Sequence, residues 1–563
     1  MKIRRLIKAS LLFMAAGLFA ACASEDTAQD KEKGAEKGTE APKGITFTIN
    51  EPKVSAKARA TAFDAEADAA TRATIKHTPG QGADVYWTSG DFIWVQDHNG
   101  TWHMSTAIQV NDGGASATFT LPPATYDNGC AVNYTVTDDP FYGRGTTTTI
   151  QAQQTQSAPD NFNHAGSSGD CAQGVAQATG NPDKYNFRLT HMSTYLCFLP
   201  RCENAALGQN IRLTQIKVTK TGSGLDQLGA LYPITGVGAD DWDLRTKTIT
   251  LNLSAAGFPL TNTATHPETN ACYMVIANGQ HDLTITYTIK DPSTNVSTDI
   301  TQTISGNFEQ GKIYDITANL SMPHGNHYMW GAKNPYWYGY ESYAPLVNRT
   351  SDPHWPNPAD PSINMNDRYY DNGGTGTSTS PARYDTKEDA YNGMQGVPNA
   401  NELLWYLKKG DPHWGTGIYE RNGHLVASVG MWIRKKNAIV TYLKNHEGYP
   451  QTLTWEQMKE RYQASATASP TDARVIFKTL GKAPVRGNPS NPADYFFLPA
   501  IGYYLSGTLQ GMDSGIETGG YWSSSAHPQD AVGTIAYGLI FNKNYISVIS
   551  DDRPDGFWVQ PFE

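Results

Sequence analysis

Cysteine is the most reactive residue type in this chain. Cys130, Cys171, Cys197, Cys202 and Cys272 lie in the first half, and Cys22 sits near the start. A thiol can be acylated, oxidised, bound to metal or used as a nucleophile, and spacing helps to separate these fates. No pair has CxxC spacing and no histidine falls at a matching interval, so no metal and no cofactor is expected. An odd number of downstream cysteines leaves one over after any pairing. Cys197 and Cys202 could bridge through a turn at Pro200, and buried thiols account for the rest. The chain beyond Cys272 has no cysteine, which removes thiol chemistry from that half. There, Asp551, Asp552 and Asp555 could gather round calcium or form a solvated turn. Asp371, Asp385, Glu388 and Asp389 are acidic neighbours, but a glycosidase needs two carboxylates facing across a cleft, which spacing cannot show. His446 and Glu447 are adjacent rather than in an HExxH arrangement. Trp522 reads as core, with Ser523–Ser525 bonded to nearby backbone. Trp330, Tyr336, Trp337, Tyr338 and Tyr340 form the candidate ligand-binding set, able to stack on sugar rings or on a partner. The alternative is that they dock their own segment onto a neighbouring domain. No constellation here defines an enzyme.

These residues need an address and a scaffold. Lys2, Arg4, Arg5 and Lys8 precede an apolar run at Leu11–Phe19, the pattern of a secretory signal in 1–21. Leu18-Phe19-Ala20-Ala21-Cys22 resembles the bacterial lipobox, with Phe19 where Leu is expected. The resemblance implies lipid attachment at Cys22 and contact with the outer membrane. Ser24-Glu25-Asp26 resembles the surface-export signal of Bacteroidetes lipoproteins. Residues 22–43 are Lys-, Glu- and Gly-rich and read as a flexible tether.

The 563 residues are 17% charged and 11% aromatic, with 52 Gly and 32 Pro, a balance that suits many short strands joined by turns. The net charge of −10 excludes a nucleic-acid partner, which would need surplus Lys and Arg. Alternation predicts strands at Ile45–Ile49, Asp84–Trp87, Phe92–Val95, Ala115–Leu121, Tyr195–Leu199, Ile211–Thr219, Thr248–Leu253, Tyr273–Ala277, His281–Ile289 and Ile313–Leu320. With almost no helical period, this half reads as two antiparallel sandwiches, 44–180 and 181–322. Residues 323–563 change character. Asn399-Ala-Asn-Glu402 and Thr454-Trp-Glu-Gln457 are capping patterns for two helices, the first stopped at Gly410. Strands at Tyr495–Leu498, Ala536–Phe541, Tyr545–Ile549 and Phe557–Val559 make this half α+β.

Trp87-Thr-Ser-Gly-Asp91-Phe-Ile-Trp-Val95, Phe187-Arg-Leu-Thr-His191 and Glu309-Gln-Gly-Lys-Ile-Tyr314 resemble blocks of Bacteroidales fimbrillin-like proteins. The resemblance covers about 45–322. It implies two transthyretin-like sandwiches and a subunit of type V pili. Such subunits assemble by donor-strand exchange: a lipidated precursor is cut after an arginine, its first strand leaves, and a neighbour's strand fills the groove. Ile45–Ile49 lies upstream of Arg59-Ala60 and Arg72-Ala73, the two candidate cleavage sites. Phe496-Phe-Leu-Pro-Ala-Ile-Gly-Tyr503, Gly519-Gly-Tyr-Trp-Ser-Ser-Ser525 and Asp555-Gly-Phe-Trp-Val-Gln-Pro561 resemble the C-type-lectin-like module of the Fibrobacter major paralogous family.

The expected fold is therefore mainly β: two transthyretin-like sandwiches and an α+β C-type-lectin-like domain. The expected function is a non-enzymatic fimbrial subunit at the cell surface, placed at the pilus tip because the C-terminal strand closes its own domain. Expected partners are other fimbrial subunits and a surface glycan or protein. An anchored glycan-binding lipoprotein is the alternative, and a carbohydrate-active enzyme the more distant one.

Overall fold

The computed structural model describes residues 44–50, 65–66, 74–138, 143–222, 227–234, 245–343, 356, 394, 396–472, 480–513, 516–527 and 535–563. Cys22, Arg59 and Arg72 lie outside the described residues, as do Asp371, Asp385, Glu388 and Asp389.

The first sheet runs Trp102–Met104, Trp94–Gln96, Ala131–Thr135, Cys171–Ala178, Lys184–His191, Ile45–Asn50, Ser116–Leu121, Ala107–Asn111. Ile45–Asn50 is an interior strand, antiparallel to Ser116–Leu121 and parallel to Lys184–His191. Its alternation works as the sequence implies: Phe47 and Ile49 are fully buried in a core with Trp87, Phe119, Val132 and Phe187. Thr48 instead reaches the Thr118 hydroxyl, at 3.1 Å.

A second pair of sheets shares one core. One runs Gln153–Gln156, Thr248–Leu253, Arg212–Thr221, Gly279–Asp291, Val296–Phe308; the other runs Cys272–Ile276, Thr194–Arg201, Ile313–Asn319, Ala65–Glu66. Leu196, Phe198, Ile216, Ile285 and Tyr287 are among the buried side chains between them. The expected divide at 180 falls in the turn between two strands of the first sheet, Cys171–Ala178 and Lys184–His191. The chain also visits the second body before the first is finished: Gln153–Gln156 pairs in parallel with Thr248–Leu253.

Cys130, Cys171, Cys197, Cys202 and Cys272 are all buried free thiols. The bridge envisaged between Cys197 and Cys202 does not form. Pro200 lies inside the extended strand Thr194–Arg201, not in a turn. At ~3.3 Å per residue, four steps of strand put the Cα of Arg201 ~13 Å from that of Cys197, and one further residue cannot bring Cys202 back within disulfide reach.

The C-terminal part holds two further sheets. Asn326–Tyr328, Phe557–Val559, Ile516–Ala526, Ile535–Asn542, Ile546–Asp552 and Leu480–Lys482 follow one another in the larger, and Val485–Arg486, His413–Arg421, His424–Arg434 and Tyr495–Pro499 in the smaller. Both capping boxes form. Asn399 Oδ1 accepts the Glu402 N–H at 2.9 Å, and Glu402 Oε2 accepts the Asn399 N–H at 2.9 Å, opening the helix Ala400–Lys409. The other carboxylate oxygen of Glu402 takes the Trp455 indole N–H at 2.6 Å, tying this helix to Trp455–Glu460. Gly410 ends the first helix in a right-handed conformation; a Cβ there would stand 2.2 Å from the Tyr406 carbonyl. A third helix, Lys436–His446, begins at Lys435 with no side-chain cap, so the capping pattern could not announce it. Among the described residues, no helix is long and apolar enough to cross a membrane.

Truncating the first interior strand should be costly. Phe47→Ala is expected to destabilise the intact chain by about 3–5 kcal/mol, whereas Thr48→Ala should stay within about 1 kcal/mol. Denaturant unfolding followed by tryptophan fluorescence measures both.

Candidate functional site

The slot filled by Ile45–Asn50 is the most specific recognition geometry in the first body. Its walls are the hydrogen-bonding edges of Ser116–Leu121 and Lys184–His191, and both edges are satisfied by this one strand. Phe47 stacks flat on Tyr185, with centroids 4.6 Å apart, and meets Tyr126 edge-on at 5.4 Å. Tyr185 is fixed in turn by its hydroxyl donating to the Tyr126 carbonyl at 2.7 Å. The slot thus reads a pleated segment with an aromatic and then an aliphatic residue on one face.

The five candidate aromatics divide by burial. Trp330 and Tyr336 are fully buried and Trp337 nearly so, while Tyr338 is 46% exposed and Tyr340 half-buried. The Trp330 indole N–H donates to the Ser523 carbonyl at 2.8 Å, and its ring lies over the buried Arg553 guanidinium. Tyr336 stacks on Tyr504 at 5.1 Å. Trp330, Tyr336 and Trp337 therefore tie their segment to the C-terminal sheets and offer no open ring face; Tyr338 does. Trp522 is core, and two of the three neighbouring serines bond to backbone: Ser523 Oγ donates to the Tyr537 carbonyl, and Ser525 Oγ accepts the Ala400 N–H, while the buried Ser524 hydroxyl finds no hydrogen-bond partner among the described residues.

A different aromatic surface lines a cavity of about 560 Å³ between the second body and the C-terminal sheets. One wall carries Trp432 and Phe497, register partners on adjacent strands whose centroids lie 5.2 Å apart. The other carries Lys217, Thr286, Asp299 and Thr301. The Phe497 ring lies across backbone that carries no Cβ: one added at Gly417 or Gly430 would come within 2.4 or 2.7 Å of that ring. One apolar aromatic wall opposed by hydroxyls and charges suits an amphipathic ring such as a sugar.

The hairpin that supplies this wall turns at Asn422-Gly423, both at positive φ. That dipeptide is the strongest short hairpin signal in a sequence, and it would have located these strands. The turn is clasped by the second body. Asn210 Nδ2 donates to the Gly423 carbonyl at 2.9 Å, and Leu425 joins the second core. Asp291, at the end of Gly279–Asp291, accepts from His424 Nδ1 at 2.9 Å, the Leu425 N–H at 3.2 Å and Ser293 Oγ at 2.6 Å. Burial alone would raise the Asp291 carboxyl, but these donors outweigh it and hold it near a pKa of about 2. Beside it, His324 Nδ1 meets the buried Glu420 carboxylate, a hydrogen bond that raises the histidine's pKa.

Asp551, Asp552 and Asp555 do not form a solvated turn throughout. Asp555 is buried, and burial followed by the neighbouring Asp551 carboxylate pushes its carboxyl up to about 8.

No family model and no curated protein matches the chain. Among solved structures it is similar to a "putative cell adhesion protein" of Bacteroides ovatus, at 13% identity over 45% of this chain and 91% of that one, with a TM-score of 0.28. A second protein of that description, from Bacteroides uniformis, is 15% identical over 42% of this chain and 89% of that one, at a TM-score of 0.27. A fimbrial protein of Bacteroides ovatus is 11% identical over 84% of this chain and 94% of that one, at 0.17. At such scores the likeness carries no functional argument, which rests on the geometry above.

The clasp should depend on pH in two directions. The depressed Asp291 contributes stability that is present above the usual carboxylate pKa of ~4 and lost as pH falls toward 2. The raised His324 contributes stability that is full below ~6.5 and lost as pH climbs through its folded value. Thermal unfolding of the wild type should therefore show the firmest docking between about pH 4 and 6.5. Asp291→Asn should flatten the acid limb and His324→Gln the alkaline one. Asp555 has the opposite sign to Asp291: its raised pKa costs stability as pH rises from ~4 to 8. Asp555→Asn should remove that decline in the same measurement.

Proposed function

We propose that this protein is a non-enzymatic surface fimbrial subunit that accepts a neighbour's strand in place of its own Ile45–Asn50. One observation carries the reading. The first described strand of the chain is an interior strand of its sheet, bonded on both edges, and the next described strand, Ala65–Glu66, belongs to a sheet of the second body. A cut at Arg59 would leave Ile45–Asn50 held by its hydrogen bonds and the buried Phe47 and Ile49 side chains, whereas after a cut at Arg72 the released segment would also keep the pairing of Ala65–Glu66 with Ile313–Tyr314. The departure of Ile45–Asn50 would open an aromatic-lined slot with two unpaired backbone edges, the combination that drives strand addition.

The C-terminal half is proposed as a lectin-like adhesive domain, and the subunit as a tip subunit. Phe557–Val559 supports this: it is paired with both Asn326–Tyr328 and Ile516–Ala526, and Phe562 is buried beyond it. That segment is committed to its own sheet and is not a free donor. In this reading Cys22 anchors the precursor in the outer membrane, and Tyr338 and Tyr340 remain the accessible members of the candidate ligand set.

A second reading, an anchored surface glycan-binding lipoprotein that keeps its strand, is favoured by the cavity between Trp432–Phe497 and the second body. N-terminal sequencing of surface material separates the two. The polymer reading expects a start at Ala60 or Ala73, and Arg72→Ala or Arg59→Ala should abolish the corresponding trimmed form. A lipidated Cys22 start in all surface material overturns it.

A further inference from the structure

Three donor groups from distant parts of the chain converge where the hairpin of Thr74–His77 and Ala83–Tyr86 rests on the second body. A ring nitrogen of His77, Sγ of Cys197 and a carboxylate oxygen of Asp315 all lie within 4.8 Å of one another. Cys197 and Asp315 are register partners on adjacent parallel strands, so the sheet presents both to the same side. The hairpin brings His77 over them.

Two of the three donors are oriented by further contacts. A carbonyl can only accept, so the 2.7 Å contact between His77 Nδ1 and the Gly82 carbonyl fixes the ring proton on Nδ1. The lone pair of Nε2 is then aimed at Asp315 Oδ1, 2.7 Å away. The other Asp315 oxygen accepts the Gly80 N–H at 2.8 Å. A neutral imidazole and a carboxylate would face each other with lone pairs across that gap, so the gap takes a cation: a proton or a metal. The backbone bonds to Nδ1 and Oδ2 are the outer-shell contacts that hold ligands in metal sites. Cys197 is fully buried beside them, so its sulfur is held at the gap by the sheet.

We propose that His77, Cys197 and Asp315 form a binding site for a zinc-class divalent cation, with water in the fourth position. One imidazole, one thiolate and one carboxylate favour a borderline-soft ion over calcium or magnesium. At Zn–N and Zn–O lengths of ~2.0–2.2 Å, two tetrahedral ligand atoms stand ~3.4 Å apart, so His77 and Asp315, now 2.7 Å apart, must part by about 0.7 Å on binding. The sulfur–hydrogen bond breaks as the sulfur–metal bond forms, and the proton shared by His77 and Asp315 leaves with it. Binding therefore releases protons and strengthens as pH rises. The ion would cross-link the hairpin after residues 51–73 to two strands of the second body. The site stands whether or not Ile45–Asn50 is exchanged.

The test uses the tag-free full chain, reduced and stripped with chelator. Zinc titrated by calorimetry should bind one per chain, with proton release that grows as pH is lowered. Cobalt should give tetrahedral visible bands with a thiolate-to-metal charge-transfer band. Cys197→Ser should abolish that band and the rise in melting temperature that zinc gives the wild type. Asp315→Asn keeps the shape and an acceptor for the Gly80 N–H, and should weaken zinc at least ~10-fold. If Cys197→Ser fails to fold, the Asp315→Asn titration decides. Absence of zinc binding, cobalt binding without a thiolate band, or unchanged affinity in Asp315→Asn overturns the proposal.

Discussion

Six residues at Ile45–Asn50 hold the first sheet together, because both neighbouring strands take their hydrogen bonds from them. Empty, the slot would expose two edges and take from Tyr126 and Tyr185 the Phe47 ring they pack on. A buried backbone group left without a partner costs ~1–3 kcal/mol, so a row of them cannot be tolerated. The sheet needs a strand in that place, its own or another's. The chemistry of the slot does not ask which, since its walls read backbone pairing and alternate apolar side chains.

The second body is the hub onto which the other parts are fastened. It receives Ala65–Glu66 from the segment after the first strand, the Thr74–Tyr86 hairpin through His77 and Asp315, and the Asn422-Gly423 turn through Asp291. The second and third fastenings place a carboxylate, Asp315 or Asp291, in a half-buried or buried position where several bonds fix its geometry. The clasp at Asp291 also sets the distance between the Trp432–Phe497 wall and the polar wall opposite. The cavity between them is thus a consequence of docking.

Much of the fold was legible. Phe47 and Ile49 announce a half-buried strand, and Asn399 with Glu402 announces a helix start, because these patterns act over a few residues. Trp522 was readable as core, and Ser523 and Ser525 as side chains bonded to backbone; the Ser524 hydroxyl departs from that pattern. Strands with a diluted apolar stripe were not legible. On the sheltered face of Val296–Phe308, Thr298, Gln302 and Gly306 separate Val296, Ile300, Ile304 and Phe308, and His413–Arg434 is punctuated by glycines that resemble loop. Their strand state comes from long hairpin pairing. The candidate ligand aromatics show the same limit, since Tyr336 is buried by Tyr504, far along the chain.

The sequence by itself determined the strand-rich class, the helix caps, the apolar alternation of Ile45–Ile49 and the absence of cysteine beyond Cys272, all properties of composition or of neighbours within a few residues. Tertiary structure alone decided that Ile45–Asn50 is interior, that Cys197 and Cys202 lie too far apart to bridge, and that His77 meets Cys197 and Asp315. Those outcomes depend on which strands pair, and pairing is set by the summed burial of segments separated by a hundred residues or more.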